Sequence, residues 1–359
     1  MERVELQRII SDHMTFTTML YELIKTLLIT SKIKYHTIEN RTKNIDSLEE
    51  KMLRKKIKNV KEEIVDISGI RIILYYLEDV DMVVNLIKNN FTIDDKNSIN
   101  KANLYNSNEF GYLSVHYIVT LDSKRSELPE WIQFSKLRAE IQIRTVLQHS
   151  WASISHELSY KKNYEIPKNL ERKLYRLAGL FELADEQFSK IKEEHNTLKE
   201  QIINEGAIED EINLLTLKYG LIKESSIINL IEEIAIESGF KCITEEERKQ
   251  YASLKDEDEN ISNIAFLSDV LGYRYIYEIE SNIQQNIEGI KSYFKMLIKK
   301  SIKDGSNAWN GTKGFFLVLS MLYLLNEKQI NAFQEKYKWD YQISNRITET
   351  ISELRNERK

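Results

Sequence analysis

The sequence predicts an α/β (α+β) protein in which a mixed sheet flanked by helices is followed by a mostly helical C-terminal region. Three observations predict it. Residues 1–165 alternate patterns of period 3.6 and period 2 in the order helix, helix, strand, helix, strand, strand, strand, helix. After residue 166 the patterns are almost all helical. The 359 residues hold only 11 Gly and 2 Pro, which favours helices joined by short connections. The expected division is a domain over 1–165, a long connecting helix over 166–205, and an acidic helical domain over 206–359.

Taken in order, residues 4–30 place Val4, Leu6, Ile9, Ile10, Leu20, Leu23, Ile24, Leu27 and Leu28 at helical spacing. Residues 31–42 read as irregular, and 47–64 as one charged helix. The segment 69–77, GIRIILYYL, is a strand rich in β-branched and aromatic residues. Asp79 is expected to cap a helix reaching residue 89. Residues 91–93 form a short strand, 94–111 a polar loop, and 112–121 and 137–144 two more strands. A helix follows, with Leu147, Trp151, Ile154 and Leu158 predicted to pack on the sheet and His149, Ser153, His156 and Tyr160 on the opposite stripe. A long helix runs from Pro167 to about residue 205. Beyond it, helices are expected over 224–237, 281–303, 315–326, 327–337 and 343–356, with a charged linker at 254–260.

Composition excludes several classes. Hydrophobic residues at 42% and charged residues at 30% describe a globular chain rather than a disordered one. A single cysteine, Cys242, allows neither an intramolecular disulfide nor a cysteine-based zinc site. The longest apolar run, residues 315–325, is too short for a membrane span of about 20 residues. With no signal peptide at the start, the expected location is cytoplasmic, with no membrane partner. A net charge of -5 argues against DNA binding. Residues 1–200 carry 31 basic and 30 acidic residues, and the rest 20 and 26, so the acidity lies in the C-terminal half.

Three clusters carry candidate chemistry. Strand periodicity puts Glu140, Gln142 and Arg144 on one face, Ser114 and His116 on one face of a second strand, and Arg71 on a third, just after Asp66. Polar groups of both signs on one sheet face are costly unless partnered, which indicates a bound polar ligand or a half-exposed, salt-bridged sheet. Asp66 and Glu140 are two separated carboxylates able to share Mg²⁺ with a nucleotide's phosphates. Arg41, Lys43, Ser47 and Lys51 form the third cluster. If a helix starts near Asp46, Ser47 and Lys51 stack at i and i+4. The Ser47 hydroxyl and the free N–H groups of the first turn then face phosphate oxygens, unless the stretch is simply a solvated charged helix.

Over roughly residues 20–165, these clusters in this order resemble the synthetase domain of the RelA/SpoT family. The matching residues are Arg41, Lys43, Ser47 and Lys51; Asp66, Gly69 and Arg71; Gly111, Tyr112, Ser114 and His116; and Glu140, Gln142, Arg144 and Thr145. Trp151, Ala152, His156, Tyr160 and Lys161 continue the likeness. The resemblance implies a nucleotidyltransferase-like sheet and transfer of the β,γ-pyrophosphate of ATP to a ribose 3′-hydroxyl. It implies that Arg41 and Arg71 hold adenine, and that Lys43, Ser47 and Lys51 hold the ATP phosphates. Asp66 and Glu140 would bind Mg²⁺, and Glu140 would activate the acceptor hydroxyl. Tyr112 would stack on the acceptor base, with Ser114, His116, Gln142 and Arg144 completing the acceptor side.

The acceptor side also carries departures. Asn108 and Phe110 stand where many members have Lys and Asn or Asp, and Leu113 replaces the usual Gln or Arg; Lys96 or Lys101 would supply the missing cation. The leading expectation is an alarmone synthetase using GDP or GTP. The alternative acceptor is the 3′ end of tRNA, in a toxin restrained by its own C-terminal half, as in CapRel-type fusions, where a regulatory or phage protein would be a partner. "YKWDY" at 337–341 is a candidate for that restraint, or else ordinary helix packing. The remaining readings are an inactive nucleotide-binding interaction module and a generic nucleotidyltransferase.

Overall fold

A computed structural model describes residues 3–100, 114–159, 168–205, 210–250, 256–303, 309–337 and 341–357. The chain divides into two compact units, Met1–Glu193 and Glu194–Lys359. The first is built on a mixed sheet in the order β1 (Thr37–Thr42), β2 (Ser68–Leu74), β6 (Ala139–Thr145), β5 (Val115–Leu121), β3 (Phe91–Ile93); β4 (Ile99–Asn100) also pairs with β5. Among the described pairings of this sheet, β2–β6 is parallel and the others are antiparallel.

Side-chain alternation gives this sheet two unlike faces. Ile70, Ile72 and Leu74, Ala139, Ile141 and Ile143, and Val115, Tyr117 and Val119 point one way. They are covered by α1 (Arg3–Thr30), through Phe16, Leu20, Ile24 and Leu28, and by α4 (Leu77–Asn90), through Val80, Val83, Val84 and Ile87. The register places Glu39, Arg71, Gln142 and His116 in one row across the other face, with Arg41, Gly69 and Glu140 in the next. Beside it, α2 (Ile45–Lys55) is held by fully buried Leu48 in a small second core with Leu6, Ile9, Val60, Ile64 and Ile67.

Several expectations need correction. The stretch 31–42 contains β1, an edge strand whose one buried residue, Ile38, gives no visible alternation. The charged helix over 47–64 is two helices. α2 ends where Lys56 takes the left-handed conformation (φ 55°), and α3 (Val60–Glu63) follows. Asp79 does not cap α4 from outside. It lies in the first turn, buried, and pairs with Lys192. In α6 (Val146–Ser159), Ile154 and Leu158 are exposed rather than packed on the sheet. Trp151 instead donates its indole N–H to the Leu174 carbonyl of α7 (Lys168–Glu205). The short α5 (Ser123–Ser126) completes the unit.

Among its described residues, the regular elements of the second unit are helices and the two-residue strands β7 (Lys241–Cys242) and β8 (Asn310–Gly311). Its elements run α8 (Ile222–Glu224), α9 (Ser226–Ser238), α10 (Glu245–Arg248), α11 (Glu257–Leu271), α12 (Ile276–Gln285), α13 (Ile287–Lys303), α14 (Lys313–Leu324), α15 (Glu327–Tyr337) and α16 (Tyr341–Glu357). The apolar run at 315–325 becomes α14, which is buried nearly all round and is the hub of this core. The expected linker at 254–260 is mostly the start of α11, capped by Asp256, because Asp and Glu suit a helix N-terminus as well as they suit a loop. The single helix expected over 281–303 breaks at Asn286 into α12 and α13. Among the described residues, no helix is long and apolar enough to cross a membrane.

Candidate active site

Above the polar sheet face lies a cavity of about 1060 Å³. β1 contributes Glu39, Asn40 and Arg41; Lys43 follows directly; α2 contributes Ser47, Glu50, Lys51 and Arg54; β2 contributes Gly69 and Arg71, with Asp66 just before it; β6 contributes Glu140 and Gln142; and His156 comes from α6. All five expected ATP-side residues and both carboxylates thus meet in one space. Ser114, His116 and Arg144 lie outside the lining. Ser114 and Arg144 are buried. Tyr112, the other acceptor residue, and Tyr160 and Lys161 fall outside the described residues.

Asp66 receives Lys43 Nζ on one carboxylate oxygen at 2.8 Å and Lys51 Nζ on the other at 2.6 Å. Burial alone would raise this carboxyl, but the hydrogen bonds and charges of the two lysines hold it below its ordinary value. Burial, joined by the like charge of Lys51, lowers the Lys43 ammonium against the pull of Asp66. Two cations share one anion here, so the trio keeps a net positive charge facing the cavity. Asn44 caps α2 by accepting from the Ser47 N–H at 2.8 Å. That corrects one expectation: this first-turn N–H is taken, and Ser47 offers its hydroxyl alone.

Across the cavity, Glu140 Oε1 is 2.8 Å from His116 Nδ1, and its Oε2 accepts from Gln142 Nε2 at 3.0 Å. Gln142 Oε1 faces Arg71 Nε at 3.4 Å, and Arg71 Nη1 reaches Glu39 at 2.8 Å. Arg144 Nη2 meets His116 Nε2 at 3.3 Å. Side chains from four strands therefore form a continuous chain, from Glu39 to Arg144, that passes through Glu140. Burial would raise the Glu140 carboxyl, but His116 and Gln142 together outweigh it and keep it below its ordinary value, against a smaller opposing push from the Asp66 charge. His149, on α6, is lowered by burial and by the charge of Arg71, and its Nδ1 has no partner among the described residues.

Asn40, Glu39, Glu50 and Arg54 were missed from the sequence. Arg54 had a signal, since it lies seven residues from Ser47 and three from Lys51 on one helix face. Glu39 had none while β1 went unseen. The start of α6 was also legible in principle. Thr145 and Gln148 form a reciprocal capping pair, with Gln148 N–H donating to Thr145 Oγ1 at 3.1 Å and Thr145 N–H to Gln148 Oε1 at 2.9 Å.

Lysines gathered as for a polyphosphate, in one cavity with a half-buried carboxylate kept ionised, are what a phosphoryl- or pyrophosphoryl-transfer enzyme requires. Comparison with known proteins gives the family. The family described as the region found in RelA / SpoT proteins matches residues 40–165. Two relatives come from Bacillus subtilis (strain 168). GTP pyrophosphokinase YwaC is 34% identical over 164 residues, 44% of this chain and 74% of its own length. GTP pyrophosphokinase YjbM is 30% identical over 165 residues, 44% of this chain and 72% of its own. Among solved structures, small alarmone synthetase 1 from Bacillus subtilis aligns at 25% identity over 54% of this chain and 98% of that chain, with a TM-score of 0.45. The chain belongs to the RelA/SpoT family, a family of pyrophosphokinases.

Proposed function

We propose that this protein transfers the β,γ-pyrophosphate of ATP to the ribose 3′-hydroxyl of GDP or GTP. The observation that carries the reading is the presence, in the lining of one cavity, of the Lys43–Asp66–Lys51 cluster and the hydrogen-bonded Glu140. Lys43, Lys51 and the Ser47 hydroxyl hold the triphosphate, with Arg54 adding charge at the rim. Arg41 and Arg71 take the adenine end; Arg71 is already steadied by Glu39 and Gln142. Glu140 accepts the proton of the 3′-hydroxyl. The freed oxygen bonds to the β-phosphorus, the bond from that phosphorus to the α,β-bridging oxygen breaks, and AMP departs with that oxygen.

Asp66 and Glu140 are hard oxygen donors facing one space, and they fit Mg²⁺. Among the described residues no three His, Cys, Asp or Glu side chains group as a metal site by themselves, but an ion shared with phosphates needs only one or two carboxylates. Asp66 and Glu140 would hold Mg²⁺, which would supply charge neutralisation for the transferred group. His116 and Gln142 keep Glu140 aimed and ionised.

The test offers GDP, GTP and deacylated tRNA separately to the full chain with Mg²⁺ and γ-labelled ATP. Label on a guanosine nucleotide, with release of AMP, supports the reading. Label on tRNA alone replaces it with the toxin reading, in which the acidic C-terminal unit is the restraining element and a regulatory or phage protein its partner. Release of pyrophosphate in place of AMP makes the protein a nucleotidyltransferase.

A further inference from the structure

Behind the cavity, on the covered side of the sheet, lies a cluster of buried polar side chains that no step above uses. His13 of α1 is 6% exposed. Its Nδ1 is 2.8 Å from Ser68 Oγ. Thr17 Oγ1 donates to the His13 carbonyl at 2.6 Å and lies 2.8 Å from Ser68 Oγ. Thr42 Oγ1 donates to Thr17 Oγ1 at 3.1 Å. Each hydroxyl has one proton, so these contacts are met together only as a directed circuit.

The place of the circuit gives it meaning. Thr42 and Ser68 are register partners at the end of the β1–β2 ladder. Lys43 follows Thr42 directly, and its N–H still bonds to the Ile67 carbonyl at 2.9 Å. Asp66 precedes Ser68 by two residues. The 2.8 Å contact between Lys43 and Asp66 thus forms where the two strands leave the sheet, and the circuit pins both from behind. Apolar side chains at these positions would satisfy the core without fixing the strands' relative height. A hydrogen-bonded circuit fixes it.

The geometry points to His13 as a positioning residue that, through Ser68, Thr17 and Thr42, sets the placement of Asp66 and Lys43 for metal and phosphate. Burial also lowers the imidazole to about 4, so the ring stays neutral at working pH despite Asp12 beside it. This reading rests on the function proposed above.

The test uses the full chain and Mn²⁺ as the probe, read by electron paramagnetic resonance with a non-hydrolysable ATP analogue present. His13→Leu should weaken Mn²⁺ binding about tenfold while near-UV circular dichroism shows a folded protein, and His13→Asn, whose amide reaches Ser68 from nearly the place of Nδ1, should restore it. Ser68→Ala makes a smaller change and should move Mn²⁺ affinity the same way, so it decides the matter if His13→Leu does not fold. Wild-type Mn²⁺ affinity in a folded His13→Leu or Ser68→Ala protein overturns the proposal. So does a His13→Asn protein that binds no better than His13→Leu. Mn²⁺ binding needs no turnover, so absence of product from the wild type counts against the proposed reaction while the variants still decide this one.

Discussion

His116 Nδ1 lies 2.8 Å from Glu140 Oε1, and the opposite nitrogen of the same ring faces Arg144 at 3.3 Å. Arginine only donates, so Nε2 must accept and Nδ1 must carry the proton. His116 is thereby set as a donor to Glu140. A half-buried carboxylate that receives two hydrogen bonds stays ionised and fixed in direction, which suits it to take a proton from a neighbouring hydroxyl.

Glu140→Gln keeps the shape and the contact with His116 but cannot accept a proton. Transfer should fall by about 100-fold or more with the melting temperature little changed. Turnover within tenfold of the wild type would refute the role. Because His116 helps to hold the Glu140 carboxyl down, His116→Leu should move the acidic limb of the kcat/KM profile to higher pH. The pH profile of the purified variant reads this directly.

Both Asp66 oxygens are held by lysines, so on the function proposed above a metal ion would enter together with the nucleotide. A cation arriving alone would meet two lysines on one carboxylate, whereas phosphates bound as proposed would draw Lys43 and Lys51 off it. Lys51→Met should therefore bind Mn²⁺ in the absence of nucleotide roughly tenfold more tightly than the wild type, while binding ATP more weakly. Titration followed by electron paramagnetic resonance distinguishes the two effects. Unchanged affinity for the ion alone would contradict the link.

The sheet core was legible because β-branched and aromatic runs such as 69–77 announce strands, and the polar face followed from period-two alternation around Arg71, His116 and Glu140. β1 was not, because an edge strand with one buried residue has no pattern to read. The break at Lys56 was hidden because a lysine gives no warning of a left-handed turn. Ser114 shows a further limit. Alternation gave its face, but burial at 3% depends on what packs above it, which no local pattern records. The pairing of Lys43 and Lys51 on Asp66 brings together residues from α2 and from the connections after β1 and before β2, so their spacing named the participants without their partners.

Gly69 sits in register between Arg41 and Glu140, on the floor of the cavity. A β-carbon there would lie 3.6 Å from the Arg41 carbonyl, which is ordinary contact, so the backbone tolerates alanine. A branched side chain would fill the floor instead. Gly69→Val should leave the melting temperature nearly unchanged, since strands favour valine, and should reduce kcat/KM for ATP by about tenfold or more. A loss of stability with the steady-state constants preserved would show that the floor is not where the nucleotide lies.

Asp185 of α7 is buried, and the hydrogen bond it accepts from Thr145 Oγ1 at 2.7 Å brings no charge. Burial raises its carboxyl from 3.8 to about 6, and the Thr145 bond offsets only part of that. The folded state therefore binds a proton more tightly than the unfolded one. Stability from this group is complete below pH 4, falls as pH rises toward 6, and stays lost at neutral pH. Asp185→Asn keeps an oxygen for Thr145 and removes the charge. At pH 7.5 it should gain about 1–2 kcal/mol, after allowance for solvent screening. The gain should shrink steadily as pH falls from 6 and vanish near pH 4. Urea melts of both proteins across that range measure it, and a difference that does not vary with pH would show that the Asp185 carboxylate is neutralised by another group.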